Sequence, residues 1–138
     1  NAGGKFGALL KIASGGELSR ISLAIRVATA KTSQIPSIIF DEIDSGIGGA
    51  VAQTVGKLLK QLATHCQILC VTHLPQVAAF GHSHLIALKL EHHNAVKASI
   101  RILNESEKVE EIARMLAGTE ISDSAMAHAR SMIQTGKN

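Results

Sequence analysis

Aromatic side chains are scarce in this sequence of 138 residues, because three Phe with no Trp and no Tyr make up only 2% of it. Proteins that bind single-stranded nucleic acid by base stacking present several aromatic rings, so an OB-fold or an RRM is disfavoured. Long apolar runs are also missing, since none approaches the roughly 18 residues that a membrane-spanning helix needs. No signal peptide is recognisable either. The sequence therefore predicts a protein without a membrane partner.

Cysteine is rare, and charge of one sign is not concentrated anywhere. Cys66 and Cys70 lie in one apolar run, which is typical of buried thiols in a reducing compartment. On one strand they would lie about 13 Å apart, too far to share a zinc ion. The net charge of +3 is scattered along the chain and says little about partners. Apolar residues make up 46% of the chain, enough for a core. The length fits one ordinary domain, or a piece of a larger one, over 1–138.

Hydrophobic periodicity predicts alternating helices and strands. Apolar positions spaced by three and four predict helices, and short β-branched runs predict buried strands. Two alternating segments late in the chain predict an antiparallel hairpin. The predicted helices cover about 16–33, 50–64, 75–80, 107–117 and 123–134, and the predicted strands cover 37–40, 67–72, 85–90 and 96–103. This order favours an α/β fold with a mainly parallel sheet, flanking helices and a terminal β-hairpin.

A Ser-Gly-Gly-Glu segment opens the first predicted helix. Its residues are Ser14, Gly15, Gly16 and Glu17. Two glycines allow a close approach of the backbone to an anion, and the free N–H groups of a first helical turn favour phosphate there. A flexible N-cap without any ligand is the alternative interpretation of this segment taken alone.

Two adjacent carboxylates, Asp41 and Glu42, follow the first predicted strand directly. Open α/β sheets place their ligands at the carboxyl ends of the strands. An Asp after a hydrophobic run is the pattern that holds Mg²⁺ in P-loop ATPases, and a following Glu can orient or deprotonate the attacking water. The alternative for this pair alone is a solvated strand end.

The second predicted strand ends at Thr72 and His73. If the two strands are parallel neighbours, His73 lies at the same sheet edge as Glu42. A lone histidine is more often an ordinary structural residue, but one beside an Asp-Glu pair is a candidate contact for a terminal phosphate.

The order of these motifs resembles the C-terminal half of an ABC-type ATPase head. Residues 14–18 look like the signature motif, 38–42 like Walker B, 44–49 like the D-loop and His73 like the switch histidine. Within that superfamily, the chain is similar to the RecN family of SMC-like bacterial DNA repair proteins. The segments that carry this closer resemblance are 12–20, 40–49, 70–78 and 110–118.

The resemblance implies a P-loop NTPase-like fold and the hydrolysis of ATP with Mg²⁺. It implies that Asp41 holds the Mg²⁺ ion, that Glu42 is the catalytic base, and that His73 senses the γ-phosphate. It also implies a homodimer with ATP between two heads, and DNA as the partner of the full-length protein in double-strand-break repair and recombination. The implied location is the bacterial cytoplasm, at the nucleoid.

The same resemblance assigns two further groups of residues to the dimer. The signature residues Ser14, Gly15, Gly16 and Glu17 would contact nucleotide bound by the opposing head. The D-loop residues of this chain would make contacts between the two heads; they are Asp44, Ser45 and Gly46.

A phosphate-binding P-loop of the form G-x-x-x-x-G-K-[ST] is missing from the sequence. Gly4 and Lys5 do not supply it, because Phe6 follows where Ser or Thr is needed. The resemblance therefore implies half of a head, with the Walker A half and a coiled coil located N-terminally in the full protein. We expect the fragment alone to bind ATP weakly and to be inactive.

Two other functions remain open from the sequence. One is a nucleotide-binding subunit of an ABC transporter, although transporters usually carry Gln where Glu17 stands. Many ABC heads also carry Asp at the D-loop position that Gly48 occupies here. The other is a non-catalytic dimerisation or DNA-binding module, in which Asp41 and Glu42 would only be solvated.

Overall fold

The computed structural model describes residues 15–29, 35–41, 43–92 and 95–137. The chain divides into two compact units, one ending at Val77 and the other starting at Ala78. The helices and strands follow in the order α1 (Gly15–Thr29), β1 (Ser37–Phe40), α2 (Gly49–Leu62), β2 (Gln67–Cys70), α3 (Pro75–Ala78), β3 (Leu85–His92), β4 (Ala95–Ile102), α4 (Glu105–Ala117) and α5 (Asp123–Lys137).

In the first unit, β1 and β2 form a parallel pair in which Phe40 lies opposite Cys70. Parallel neighbours need a crossover connection, and α2 lies in the connection between them. At the end of the pair, the backbone N–H of Val71 donates to the Phe40 carbonyl at 2.9 Å. The two strands therefore end side by side, which places the residues that follow them at one edge.

One face of this strand pair packs against the core of the first unit, and the other face is exposed. Ile38 and Phe40 alternate with Ile39, which is 69% exposed, and its partner Leu69 is 46% exposed. Side chains alternate between the two faces of a strand, so the apolar sequence of both strands covers both faces. The buried residues of the core are Leu23, Phe40, Ile43, Ala52, Val55, Leu59, Leu62 and Val77.

The second unit consists of the β3–β4 hairpin and the helices α4 and α5. Leu85 pairs with Ile102 at the open end of the hairpin, in antiparallel register. A capping box starts α4: the Asn104 side chain accepts from the backbone N–H of Glu107, and the Glu107 side chain accepts from that of Asn104. The two helices pack through a separate core, whose buried residues are Ala79, Ile112, Ala113, Ala129 and Ile133.

The predicted α/β class and the antiparallel hairpin are confirmed, while several boundaries differ. The described strands form two separate two-stranded sheets, so parallel pairing is confined to β1 and β2. The hairpin is followed by α4 and α5, which correspond to the helices predicted over 107–117 and 123–134. Helix α4 begins at Glu105 and not at residue 107, because Asn104 supplies the cap. Residues 30–33 of the first predicted helix lie outside the described residues.

No helix in the described part of the chain is both long enough and apolar enough to cross a bilayer.

Candidate functional site

The carboxyl ends of β1 and β2 bring together residues that are far apart in sequence. Asp41 follows β1 and is exposed, and Thr72 and His73 follow β2 after Val71. The parallel register fixes this neighbourhood, since Phe40 and Cys70 are paired. Glu42, the predicted catalytic base, lies outside the described residues. The sheet edge thus carries a carboxylate beside one strand and an imidazole beside the other.

Asp44 joins the two strand ends through three contacts to a single carboxylate oxygen, Oδ2. The Thr72 hydroxyl donates to it at 2.5 Å, and the backbone N–H of His73 donates at 3.0 Å. The ring atom Nδ1 of His73 lies 3.2 Å from the same oxygen. The Thr72 hydroxyl oxygen in turn accepts from the backbone N–H of Leu74 at 3.0 Å. The turn after β1 and the loop after β2 are therefore held as one piece.

Asp44 as a residue is only 3% exposed, so the charge of its carboxyl depends on these donors. Burial raises its pKa, because desolvation disfavours the ionised form. The hydrogen bonds from Thr72 and from the His73 backbone, together with the nearby His73 ring, lower the pKa by more than burial raises it. The net pKa lies below the ordinary value of 3.8, and Asp44 is ionised at neutral pH.

The His73 ring contacts the buried carboxylate at one nitrogen while 75% of the side chain is exposed. Nδ1 of the ring lies within ion-pair distance of the Asp44 carboxylate, at 3.2 Å. The imidazole is thereby anchored on its Nδ1 side, which leaves the Nε2 side toward solvent. A group with this arrangement can contact a ligand at the sheet edge.

Helix α1 begins at Gly15, so the predicted signature segment lies at a helix N-terminus. Gly15 and Gly16 form its start, and Glu17 is an exposed acidic residue of the first turn. Ser14, the remaining signature residue, lies outside the described residues. The helix N-terminus offers N–H groups to an anion, as the sequence predicts.

Arg20 connects this helix to the turn after β1. Its Nη1 donates to the Ser45 carbonyl at 2.9 Å. Sequence reasoning assigned no role to Arg20 or to Thr72. An arginine one turn into the helix and a threonine at a strand end were both visible, but their partners lie 25 and 28 residues away. This contact joins α1, where the predicted signature segment lies, to the turn of the predicted D-loop.

The D-loop turn itself combines buried and exposed residues. Ile43 is fully buried and Asp44 nearly so, whereas Ser45 and Gly46 are exposed. Gly46 has a φ of 70°, in the left-handed region that favours glycine. The exposed pair is accessible to a partner, while Asp44 is occupied inside the chain.

Cys70 is not a candidate nucleophile. Burial raises the pKa of the Cys70 thiol to about 11, and the carboxylates of Asp44 and Asp41 act in the same direction. A thiol with such a pKa stays protonated at neutral pH, and the thiolate is the reactive form. In the described ranges, no group of three or more His, Cys, Asp or Glu side chains could hold a metal ion.

Mg²⁺ fits the chemistry of this edge despite the missing cluster. Protein sites for Mg²⁺ commonly use one or two carboxylates together with substrate phosphates and water, and not a complete protein cage. Asp41 is an exposed carboxylate at the end of a strand, the place where such ligands occur in open α/β sheets. Asp41 is therefore the described residue that would hold the ion.

Comparison with curated proteins shows close sequence similarity over nearly the whole chain. The "DNA repair protein RecN" of Haemophilus influenzae is 53% identical over 125 residues, which are 91% of this chain and 22% of that protein. The proteins of the same name from Vibrio cholerae and Bacillus subtilis are 45% and 41% identical over 96% and 97% of this chain. The resemblance to RecN expected from the motifs is confirmed. The chain spans about a quarter of the length of these relatives.

A solved structure supports the fold independently. It comes from work on the ATP-driven dimerisation and DNA-stimulated activation of SMC ATPases, and it matches with a TM-score of 0.57 at 22% identity. The match covers 80% of this chain and 66% of the other chain. No family model matches the chain. The likeness confirms the predicted fold, an α/β lobe of the P-loop NTPase-like type.

Proposed function

We propose that this chain, similar to RecN over nearly its whole length, forms the C-terminal half of an ABC-type ATPase head in a longer DNA repair protein. The full-length protein would hydrolyse ATP, and ATP would bring two heads together in double-strand-break repair and recombination. Residues 1–138 would act as one segment of that head. The observation that carries this proposal is the sheet edge where Asp41 and His73 follow paired parallel strands, with Asp44 joining them.

Asp41, Glu42 and His73 would each have a separate role in the transfer of the γ-phosphoryl group to water. Asp41 would hold Mg²⁺, which when bound neutralises charge on the phosphates. Glu42 would orient and deprotonate the attacking water. His73 would contact the γ-phosphate through the exposed side of its ring. Positioning and electrostatic stabilisation account for most catalysis in this reaction class, so these side chains suffice for their half of the site.

The signature segment would act on nucleotide that the opposing head binds. Ser14, Gly15, Gly16 and Glu17 lie at or beside the N-terminus of α1, which can bind an anion. The chain has no lysine-bearing P-loop to bring a phosphate to that helix. A second head would bring the phosphate of its own nucleotide to this helix. The contact between the helix N-terminus and the phosphate would then form only in the dimer. Ser45 and Gly46, exposed on the D-loop turn, would lie near the same junction.

The N-terminal Walker A half of the same protein is the partner that would complete the head. Ile39 and Leu69 are exposed on the free face of the β1–β2 pair, and apolar side chains on a sheet face are normally covered in a complete domain. The matched residues make up 22% of the Haemophilus influenzae relative, so most of its length lies outside the matched segment. We expect the segment alone to bind ATP weakly, and the full-length protein to contact DNA at the nucleoid of the bacterial cytoplasm.

The test of this function is Glu42→Gln in the full-length protein. We expect ATP binding and head association to persist while hydrolysis slows by about 10²–10⁴-fold, the usual contribution of a general base. Asp41→Ala should instead weaken Mg²⁺-dependent nucleotide binding. Glu120→Gln, an exposed change remote in sequence from the edge, is the control and should hydrolyse normally. Normal hydrolysis by Glu42→Gln would show that the base is wrongly assigned.

A further inference from the structure

We propose that Asp44 is a positioning residue for His73: its carboxylate keeps Nδ1 protonated and directs Nε2 toward the position of a phosphate oxygen. The inference rests on the proposed function only in identifying that phosphate as part of a nucleotide. The contact between Asp44 and His73 is a property of this chain and can be tested without nucleotide. It assigns Asp44 a role in addition to its predicted place in the D-loop.

The hydrogen-bonding chemistry at Oδ2 decides which nitrogen of His73 carries a proton. An ionised carboxylate only accepts hydrogen bonds. Nδ1 of His73 lies 3.2 Å from this oxygen, so their approach is favourable only if Nδ1 carries hydrogen. The same oxygen accepts from the Thr72 hydroxyl and the His73 backbone N–H, so it behaves throughout as an acceptor.

Burial gives this contact a fixed position. The Asp44 side chain is 4% exposed, in contrast to the His73 side chain at 75%. Two donors, the Thr72 hydroxyl and the His73 backbone, prevent the carboxylate from rotating toward water. The exposed ring is thus attached at one nitrogen to an immobile group. Its accessible side is oriented before any ligand arrives, which reduces the cost of ordering it on binding.

The charge of Asp44 also suits contact with phosphate. A phosphate oxygen is an acceptor, so Nε2 must carry hydrogen when it meets one. A ring with hydrogen on both nitrogens would then face the Asp44 carboxylate at Nδ1 and the phosphate oxygen at Nε2. A buried carboxylate that stabilises an imidazolium and fixes the orientation of the ring performs the same service in hydrolytic triads.

A purely structural role for Asp44 predicts a different state of the ring. In that case the carboxylate only joins the backbone after β2 to the D-loop turn, through Thr72 and the His73 N–H. The imidazole would then take the Nε2–H form, which neutral histidine prefers in water, and behave like an exposed side chain. Asp44→Asn separates the two roles, because its amide oxygen can still accept from Thr72 and from the backbone.

Long-range ¹H–¹⁵N NMR of this chain, labelled at histidine, measures the tautomer directly. At a pH where the ring is neutral, we expect His73 to be mainly Nδ1–H, whereas the exposed His65 and His128 serve as internal controls in the Nε2–H form. Asp44→Asn should reduce the Nδ1–H fraction of His73 and leave both controls unchanged. A wild-type His73 that is mainly Nε2–H overturns the proposal, even if Asp44→Asn fails to fold.

A double-mutant cycle in the full-length protein tests whether Asp44 acts through His73. At saturating ATP, Asp44→Asn should lower kcat about tenfold, within the range of coupling between contacting residues. In a His73→Ala background the same change should have little further effect. Equal loss in both backgrounds would overturn the proposal. Absence of ATP hydrolysis in the wild-type protein would contradict the proposed function instead, while the tautomer still decides the role of Asp44.

Discussion

Asp44 is a charged side chain in a turn, yet it is 3% exposed and three groups meet at one of its oxygens. A buried carboxylate is costly unless its hydrogen bonds are satisfied. Here the hydrogen bonds and the nearby His73 ring outweigh the effect of burial, because the pKa of Asp44 lies below its ordinary value. Since this pKa differs between the folded and unfolded chains, the stability of the first unit must depend on pH.

The sign of that dependence follows from the lowered pKa. The folded chain holds Asp44 ionised to lower pH than the unfolded chain, where the ordinary value of 3.8 applies. Its contribution to stability is fully present above that value and is lost as pH falls through the folded pKa. We expect urea unfolding to show that Asp44→Asn reduces the stability difference between neutral and strongly acidic solution.

Glu110→Gln, an exposed change on α4, is the control for this measurement. It should leave the difference between the two pH values close to that of the wild type. The explanation fails if Asp44→Asn unfolds with the same pH dependence as the unchanged chain. His73 is the titratable side chain that contacts Asp44, so the same series in a His73→Ala background shows how much of the effect needs the ring.

For single residues, the sequence predicts which side chains follow the strands. It does not predict contacts between residues that are far apart in the same chain. The placement of Asp41 and His73 followed from two apolar runs that each end in a polar residue. Thr72 and Arg20 went unassigned because a hydroxyl or a guanidinium acquires a role only from the group it meets. Those partners lie in the D-loop turn, far along the chain, and no periodicity reports such a contact.

Among the elements, the second unit shows how local signals and tertiary packing combine. The Asn104–Glu107 capping box was present in the sequence as Asn followed three residues later by Glu, and it explains why α4 starts at Glu105. Helix α5 was predicted to end at residue 134, but it continues to Lys137. Its last turn contains Gly136, a poor helix former, so packing rather than propensity maintains the helix there.

Gly136 permits the close approach of α5 to the segment before the hairpin. A Cβ atom added at this position would lie 2.6 Å from the carbonyl oxygen of Ala79. Alanine raises helix propensity by about 1 kcal/mol relative to glycine, but an overpacked contact with backbone costs about 1–3 kcal/mol. We therefore expect Gly136→Ala to destabilise the chain in urea unfolding. The exposed Gln134→Ala on the same helix is the control; a stabilised Gly136→Ala would contradict this packing.

On the scale of the whole molecule, the chain has the features expected of one part of the proposed ATPase head. It supplies a sheet edge with Asp41 and His73, and separately a helix N-terminus at Gly15, but no P-loop. Its length is about a quarter of that of the RecN relatives. The motifs in the sequence predict the sheet edge and the helix N-terminus, and they show that a P-loop is missing. The contacts of Asp44 that join the two strand ends are visible only in the structure.

We propose that the signature segment of one head acts on nucleotide held by the other. If so, two variants that are each inactive carry complementary defects: Gly15→Asp damages the signature, and Glu42→Gln damages the base. A heterodimer of the two has one site with both parts intact and one site with neither. Gly15→Asp should also leave nucleotide binding by a single head nearly unchanged, because its added charge affects only the opposing site.

The most direct measurement is ATP hydrolysis by equal mixtures of these two full-length variants. Random pairing makes about half of the dimers heterodimers, and each heterodimer has one intact site of two. The activity should therefore return to about a quarter of the wild-type rate. Each variant alone, and a mixture of Gly15→Asp with the double variant Gly15→Asp/Glu42→Gln, should stay inactive. If heterodimers form, as light scattering and differential tags can establish, and hydrolysis does not return, the signature acts on its own head and the account is contradicted.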